Sequence, residues 1–422
     1  MEERIREFLN DRFGMFIHWG LYAIPARGEW VQSYERMDEK TYRKYFDEFD
    51  STDCDPAKWA KLAKECGMKY AVLTAKHHDG FCLFDSKLTD FSSVHAKGGR
   101  DLVREYSQAF RDEGIKVGLY YSLLDWHHPD FPVYRDKQHP MRDNEAYRDK
   151  PQDFSNYIRY FHSQVRELLT NYGKVDLLWF DFSYQDSVND MSGEKWKASE
   201  LVKMVRELQP GIVLNDRLGG HTGSVFPTLQ YGDFVSPEQY LPKHGMLGAD
   251  GEALPWEACI TLNGNWGYAA GDGDYKQPKD VIRALAECVS KNGNLIVNVG
   301  PDARGEIPAE SVRILREVGE WMRKNGESIY GCGAADYEKP EWGRFTQKGK
   351  KLYAHIMERG VGPVFLEGMA GKIHSARYLN DLSEADIRLP WNQPDNVTDS
   401  FLNLRSNRLP DDRDTVVEFD LL

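Results

Sequence analysis

The sequence predicts an α/β protein that consists of a (β/α)8-like barrel, irregular in part, followed by a small C-terminal β-sandwich. Up to about residue 330, eight short apolar runs alternate with amphipathic helical stretches, the pattern of a parallel sheet with helical crossovers. Beyond residue 336 the chain carries only short strand-like runs between Gly, Pro, Asn and Asp, and no helix signal competes with them. We therefore predict a barrel domain over residues 1–335 and a sandwich domain over residues 336–422.

The barrel strands are predicted where short runs of β-branched and aromatic residues end in polar residues. Their ranges are 15–18, 70–75, 117–122, 175–181, 212–215, 234–236, 258–261 and 295–299. Three intervening helices are bounded by glycine or proline, at 101–113, 154–171 and 278–291. Helix signals after the fifth and sixth strands are weak, so the barrel is expected to be irregular there. In the second domain the predicted strands are 351–357, 363–366, 372–378 and 415–422.

Composition and charge exclude several classes of function. The excess of 67 acidic over 54 basic residues gives a net charge of −13, which disfavours nucleic acid and anionic membrane surfaces as partners. No apolar run reaches the roughly 18 residues that a membrane helix needs. The six cysteines show no CxxC pairing and residues 1–9 have no apolar secretory core, so a cytoplasmic protein with reduced thiols is expected. This prediction also allows for a signal segment that was removed beforehand. A homo-oligomer is a further expectation that the sequence allows.

Polar residues gather where the predicted strands end. Because the carboxyl ends of parallel strands in a barrel surround one mouth, these side chains are expected to share a pocket. The long insertion 123–151 follows the third strand at the same mouth. The 11 Trp, 22 Tyr and 20 Phe suit stacking on sugar rings, although core packing explains the same composition. The strand ends carry His18, His77 and His78, Tyr121, Trp179 and Asp181, Arg217, and Glu238.

Asp181 and Glu238 are the candidate catalytic carboxylates. Asp181 follows four apolar residues at the end of the predicted fourth strand. Because side chains alternate along a strand, Trp179 is expected to face the same side as Asp181. A helix N-cap is the alternative for Asp181, and a solvated loop residue is the alternative for Glu238. Two carboxylates across a glycosidic bond can act as nucleophile and as acid/base. Spacing alone leaves three competing acids in the second role, Asp233, Glu252 and Glu257.

The histidines suit hydrogen bonding to sugar hydroxyls while they are neutral. A metal site is the alternative for His18, His77 and His78, but adjacent histidines on an extended strand point to opposite faces. No HxxxH or HExxH pair and no nearby thiolate supports a metal, so no metal and no cofactor are predicted. His127 and His128, in the insertion, are interpreted as surface residues or contacts to more distant sugars.

Several segments together resemble the α-L-fucosidases of glycoside hydrolase family 29. They are FGMFIHWGLYAIPARGEW, KYAVLTAKHHDGFCLFDS, GIKVGLYYSLLDWH, VDLLWFDFSY, NDR, SPEQ, PWEACITLNGNWGY and NGNLIVNVGPDARGEIP, which cover roughly residues 10–330 in order. The resemblance implies an exo-acting enzyme that hydrolyses terminal α-L-fucose on glycans or glycoconjugates with retention of configuration. Related specificity for α-L-galactosides and a fucose-binding homologue without turnover are the alternatives.

The resemblance also implies residue roles. Asp181 matches the nucleophile, and Glu238 falls where many members carry the acid/base. One departure is Phe182, because many members have glycine directly after the nucleophile; the bulkier side chain is expected to narrow the site. The residues that match sugar-binding positions are His18, Glu29, Trp30, His77, His78, Tyr121 and Arg217, with Trp266 near the fucose methyl group.

Overall fold

The computed structural model describes residues 1–185, 190–219, 227–389, 397–406 and 408–422. Its helices are α1 (Glu3–Asp11), α2 (Val31–Tyr34), α3 (Glu39–Glu48), α4 (Pro56–Cys66), α5 (Leu102–Asp112), α6 (Phe154–Asn171), α7 (Ala198–Leu208), α8 (Pro278–Val289) and α9 (Ala309–Asn325). The strands of the first part are β1 (Phe13–Ile17), β2 (Tyr70–Lys76), β3 (Lys116–Ser122), β4 (Leu177–Asp181), β5 (Tyr184–Gln185), β6 (Asp190–Met191), β7 (Val213–Leu214), β8 (Met246–Leu247), β9 (Ala253–Leu254), β10 (Glu257–Thr261) and β11 (Asn294–Val299).

Seven of these strands form one parallel sheet in the order β10-β11-β1-β2-β3-β4-β7, which confirms the predicted α/β class. The three helices with clear sequence boundaries are also confirmed, as α5, α6 and α8. Asp101 and Asp153 cap α5 and α6 by accepting hydrogen bonds from the first-turn backbone, and α8 begins at Pro278.

The sixth predicted strand, residues 234–236, is not a regular strand. Phe234 makes a single parallel bridge to Asn215, and Val235 makes one to Trp256, so this segment spans the gap between β7 and β10 with isolated bonds. Proline at position 237 lacks the N–H that would extend the ladder. The expected irregularity is confirmed, because the described residues between β7 and β10 contain the small β8–β9 hairpin and no α-helix.

The barrel interior is filled by the inward-facing side chains of the strands. An apolar cluster along the axis includes Phe16, Tyr70, Tyr120, Trp179 and Cys259, and helix α1 places Phe8 against its lower end. The ring of Phe8 lies 5.4 Å from that of Tyr70, at the start of β2. Because α1 covers the amino ends of the strands, the barrel opens at their carboxyl ends.

The C-terminal part forms two antiparallel sheets around a separate apolar core. One sheet has the order β12-β13-β14-β19-β16, and the other has the order β15-β18-β17. All four strands predicted here are present, together with four others. The strands are β12 (Gly333–Ala334), β13 (Gly343–Lys348), β14 (Lys351–Ile356), β15 (Val364–Leu366), β16 (Ile373–Tyr378), β17 (Asp386–Arg388), β18 (Ser400–Asn403) and β19 (Thr415–Leu421).

A buried polar junction joins the two parts of the chain. Nδ1 of His355 lies 2.6 Å from the Asp414 carboxylate, and both side chains are fully buried. Thr346 contacts the other ring nitrogen and donates to the Ser328 carbonyl, just beyond α9. Trp321 of α9 donates to the Asp414 carbonyl at 2.9 Å. The sandwich is therefore fixed to the last barrel helix by groups that have no access to water.

We expect Asp414→Ala to lower the free energy of unfolding by about 2–4 kcal/mol, because it leaves His355 buried without its partner. Urea unfolding of the purified protein measures this. The control is Asp386→Ala, which removes an exposed ion pair with Arg388 and should cost under about 1 kcal/mol. Equal losses for the two variants would contradict the inference.

Candidate active site

A pocket lies at the carboxyl end of the barrel. Ten of the eleven predicted site residues line it. The lining residues are Phe16, His18, Glu29, Trp30, His77, His78, Tyr120, Trp179, Asp181, Phe182, Arg217, Glu238, Cys259 and Trp266.

Asp181 ends β4 and its carboxylate faces the pocket. One oxygen accepts from the Tyr120 hydroxyl at 2.8 Å and the other from Arg217 at 2.8 Å. Its side chain is 13% exposed. No helix begins in the described residues that directly follow β4, so Asp181 is not an N-cap. A guanidinium and a phenol therefore both donate to this largely buried carboxylate and fix its orientation.

Glu238 lies across the pocket from Asp181 and shares the same cation. Nη1 of Arg217 is 2.8 Å from an oxygen of each carboxylate, so these two oxygens lie at most twice 2.8 Å, about 5.6 Å, apart. Glu238 is 40% exposed, and its other oxygen accepts from the Trp266 indole at 3.1 Å. Burial lowers the pKa of Arg217, but the two carboxylates outweigh burial and raise it well above its ordinary value. The arrangement therefore pairs one enclosed acid with one that solvent reaches.

The three competing acids lie elsewhere. Asp233 bonds to Arg4 at 2.8 Å, and it also accepts from the backbone N–H of Leu214 in β7. Glu252 is exposed beside the β8–β9 hairpin, and Glu257 is buried inside the barrel. None of the three lines the pocket, so Glu238 is the acid that the fold brings to Asp181.

The three histidines lie together and are neutral. Burial lowers the pKa of His18 to about 3 and those of His77 and His78 well below their usual range. His18 Nδ1 lies 2.7 Å from the Asn298 side-chain oxygen, and His78 Nδ1 lies 2.6 Å from the Ser122 hydroxyl. Asn298 can only accept through that oxygen, so His18 Nε2 carries the lone pair.

The prediction that His77 and His78 point to opposite faces is wrong. Strand β2 ends at Lys76, the two residues follow in a turn, and their rings lie 4.0 Å apart on the pocket wall. Among the described residues, no three His, Cys, Asp or Glu side chains are placed to share a metal ion.

Loops from both sides of the barrel complete the wall. Glu29 accepts from the backbone N–H of Gly267 at 2.8 Å, which joins the first loop to the one that carries Trp266, and burial raises the pKa of Glu29. The Trp30 ring packs against His78 and Phe182 at 4.7 and 5.1 Å between centroids. Aromatic rings therefore lie directly beside the imidazoles and acids of the pocket wall, as Trp30 does beside His78 and Trp266 beside His18.

Comparison with known proteins decides the family. The α-L-fucosidase family profile matches residues 2–327. α-L-Fucosidase isoenzyme 1 from Paenibacillus thiaminolyticus is 61% identical with a TM-score of 0.95, over 100% of this chain and 99% of that one. Plasma α-L-fucosidase of Rattus norvegicus is 30% identical over 416 residues, 90% of this chain and 82% of that protein. The chain belongs to the α-L-fucosidase family, glycoside hydrolase family 29.

A third relative bears on the chemistry. An α-L-fucosidase of this family from Bacteroides thetaiotaomicron was solved as a covalent intermediate trapped with 2-fluoro-fucosyl fluoride. It is 29% identical, with a TM-score of 0.85, over 100% of this chain and 97% of that one. A covalent glycosyl-enzyme is the species that a retaining glycosidase forms. The predicted family, its barrel-and-sandwich fold and its hydrolase class are confirmed.

Tyr121 is the predicted site residue that the fold keeps out of the pocket. Its hydroxyl donates to Gln164 at 2.7 Å and its ring stacks on Phe161, so it faces α6 outside the barrel. The preceding residue, Tyr120, was missed and binds Asp181. In the parallel register Tyr120 pairs with Trp179, which places both on the inner face. Two consecutive tyrosines carry no signal for which of them faces inward; only the register decides it.

The insertion 123–151 is anchored beside the pocket rather than within it. Its Asp125 pairs with Lys76 at 2.8 Å, and both side chains are buried. His127 stacks on Phe91 and His128 packs against Tyr160, so neither histidine lines the pocket. The insertion therefore borders the site, where its Trp126 packs against Trp30 and His78 of the pocket wall, each at 5.5 Å between ring centroids.

Phe182 adopts a backbone conformation that favours glycine. Its φ angle is +77°, in the left-handed region, where a β-carbon costs about 1–2 kcal/mol. Its ring contacts Trp30 and His78, which offsets this strain by packing. The residue thus combines a strained backbone with a wall of the pocket.

We expect Phe182→Gly to be more stable than Phe182→Ala by about 1 kcal/mol, because only glycine adopts this φ without strain. Thermal or urea unfolding of the two variants measures the difference. At Lys203, on the exposed face of α7, alanine should instead be the more stable substitution. If alanine is the more stable substitution at both positions, the backbone of residue 182 is not strained.

Proposed function

We propose that the protein is an exo-acting, retaining α-L-fucosidase in which Asp181 is the nucleophile and Glu238 is the acid/base. The observation that carries this assignment is the pair of carboxylate oxygens at most about 5.6 Å apart, bridged by Arg217. Retaining glycosidases place their carboxyl groups about 5–5.5 Å apart, whereas inverting enzymes need about 6.5–9.5 Å to admit a water molecule. A pocket closed below by the packed barrel and open above accepts a terminal sugar.

In the first step an oxygen of Asp181 attacks the anomeric carbon while the bond from that carbon to the leaving oxygen breaks. Glu238 gives its proton to the leaving oxygen, which departs as an alcohol. The product on the enzyme is a fucosyl ester of Asp181. In this step the negative charge moves from Asp181 to Glu238. Arg217 stabilises it on either residue, because it contacts both.

In the second step Glu238 accepts a proton from water while the water oxygen attacks the anomeric carbon. The ester bond breaks, Asp181 leaves as a carboxylate, and the configuration of the substrate is restored by the second inversion. Glu238 suits this exchange because solvent reaches it.

The neutral histidines bind the sugar without opposing the positive charge that develops on its ring. A cationic imidazole there would raise the barrier, and burial removes that charge. Their ring nitrogens and Glu29 supply hydrogen bonds for the sugar hydroxyls, and Trp266 covers an apolar edge.

An adjoining cleft indicates that the leaving group is itself a sugar. It shares Asp181, Arg217 and Glu238 with the pocket. Tyr240 lies on its wall and is 56% exposed, so its ring is available for stacking. We infer that fucosylated glycans or glycoconjugates are the substrates, with the second sugar against Tyr240.

The six cysteines are all buried and unpaired, which supports a reducing, cytoplasmic location.

Replacing Asp181 by alanine should lower kcat on an aryl α-L-fucoside by about 10³-fold or more, because no covalent intermediate forms. Azide should restore turnover and yield β-L-fucosyl azide, which NMR identifies by its anomeric configuration. A wild-type protein inactive on aryl and natural fucosides, or an active Asp181→Ala variant, would overturn the assignment.

Replacing Tyr240 by alanine should lower kcat/KM for a fucosyl disaccharide by about five-fold, since a lost ring contact costs about 1 kcal/mol. The rate on α-L-fucosyl fluoride should stay unchanged, because fluoride cannot reach the cleft wall. Tyr240→Phe keeps the ring and serves as the matched control. Equal losses on the two substrates would place Tyr240 in the fucose pocket instead.

A further inference from the structure

Glu257 forms a hydrogen-bonded junction across the inside of the barrel. It begins β10 and its side chain is completely buried. One carboxyl oxygen bonds to the Tyr70 hydroxyl, and the other accepts from the Trp179 indole at 3.2 Å. Tyr70 is on β2 and Trp179 is on β4, and neither strand is a neighbour of β10 in the sheet. The three side chains therefore meet at the barrel axis, where they connect strands that share no backbone bonds.

Trp179 connects this junction to the groups that hold Asp181. Its ring lies between the junction and the pocket, which it lines, and the Arg217 guanidinium lies 4.5 Å above the ring. Trp179 also stacks on Tyr120 at 6.0 Å and 21°. Arg217 and Tyr120 are the two groups that hold Asp181. The orientation of one indole thus supports both donors to the nucleophile, and Glu257 accepts the only polar hydrogen of that indole.

The surroundings of Glu257 favour its neutral form. Burial raises the pKa of Glu257 to about 7, although the Tyr70 and Trp179 donors partly oppose this. No charged side chain among the described residues pairs with its carboxyl group. The titratable groups near it are Tyr70, with Arg12 beyond it, and the thiols of Cys259 and Cys288, whose pKa values burial raises.

We propose that Glu257 is a positioning residue that, as a neutral acid, fixes the Trp179 indole and through it holds Arg217 and Tyr120 against the nucleophile. It touches no substrate, because Trp179 separates it from the pocket. Its effect on turnover rests on the proposed function, whereas its effect on Trp179 and on stability does not.

The stability that Glu257 contributes to the folded protein depends on pH. Unfolded Glu257 releases its proton near its ordinary pKa of 4.5, and the folded protein keeps it to about pH 7. The resulting stability is complete below pH 4.5, declines as the pH rises from 4.5 to 7, and is absent above that range. Glu257→Gln keeps a neutral acceptor and donor but cannot ionise, so it lacks this dependence.

The experiment compares wild type, Glu257→Gln and Glu257→Met in the full-length protein. With α-L-fucosyl fluoride, kcat should fall about ten-fold or more in Glu257→Met, which leaves the indole N–H unpaired, and by no more than about three-fold in Glu257→Gln. In protein labelled with 5-fluorotryptophan, the ¹⁹F resonance of Trp179, assigned with Trp179→Phe, should shift between pH 6 and 8 in wild type and stay constant in Glu257→Gln. Urea midpoints should fall between pH 4.5 and 7 more steeply in wild type than in Glu257→Gln.

Each outcome decides the proposal. Equal kcat losses for Gln and Met, or wild-type kcat in Glu257→Met, would overturn it, as would a pH-independent Trp179 resonance in the wild type. If Glu257→Met does not fold, the Trp179 resonance and the unfolding comparison with Glu257→Gln still test it. A wild type without hydrolysis of fucosyl fluoride refutes the proposed function instead, and the resonance and unfolding data then judge the role of Glu257 alone.

Discussion

The two ion pairs that Arg217 makes with Asp181 and Glu238 are the constraint on which the geometry of the site depends. The two carboxyl groups lie close together in a largely buried pocket, and the shared guanidinium stabilises the negative charge on either of them. The cation in turn needs a fixed support, which the flat ring of Trp179 provides. The pair of acids is therefore held by a cation that itself rests on a ring deeper in the barrel.

The closed lower end of the barrel makes this arrangement possible. Helix α1 and the axial apolar cluster keep water away from the floor, so polar groups there interact strongly and buried imidazoles lose their charge. Strain is tolerated at the same place, because the left-handed backbone of Phe182 is compensated by ring packing. Toward the mouth the site becomes wetter at Glu238 and Tyr240, where a leaving group and water must pass.

The sequence predicted the barrel well where strands and helices alternate regularly, and less well where they do not. The helices α5, α6 and α8 have caps or prolines that are visible in the sequence. The sixth strand failed because Phe234 and Val235 form only single bridges, whose spacing depends on the approach of neighbouring chain segments. In the site, Tyr121 was predicted in place of Tyr120 because the facing of adjacent tyrosines is set by register with β4.

What the sequence determined by itself was the set of polar residues at strand ends, since alternating periodicity and chain order already bring those ends to one mouth. It could not choose among Glu238, Asp233, Glu252 and Glu257, because a carboxylate has the same local signature whether it is exposed, paired or buried. Only the tertiary structure made that choice. It placed Glu238 on Arg217, Asp233 on Arg4 and Glu257 under Trp179, since electrostatic and hydrogen-bond partners from distant segments define the role of each acid.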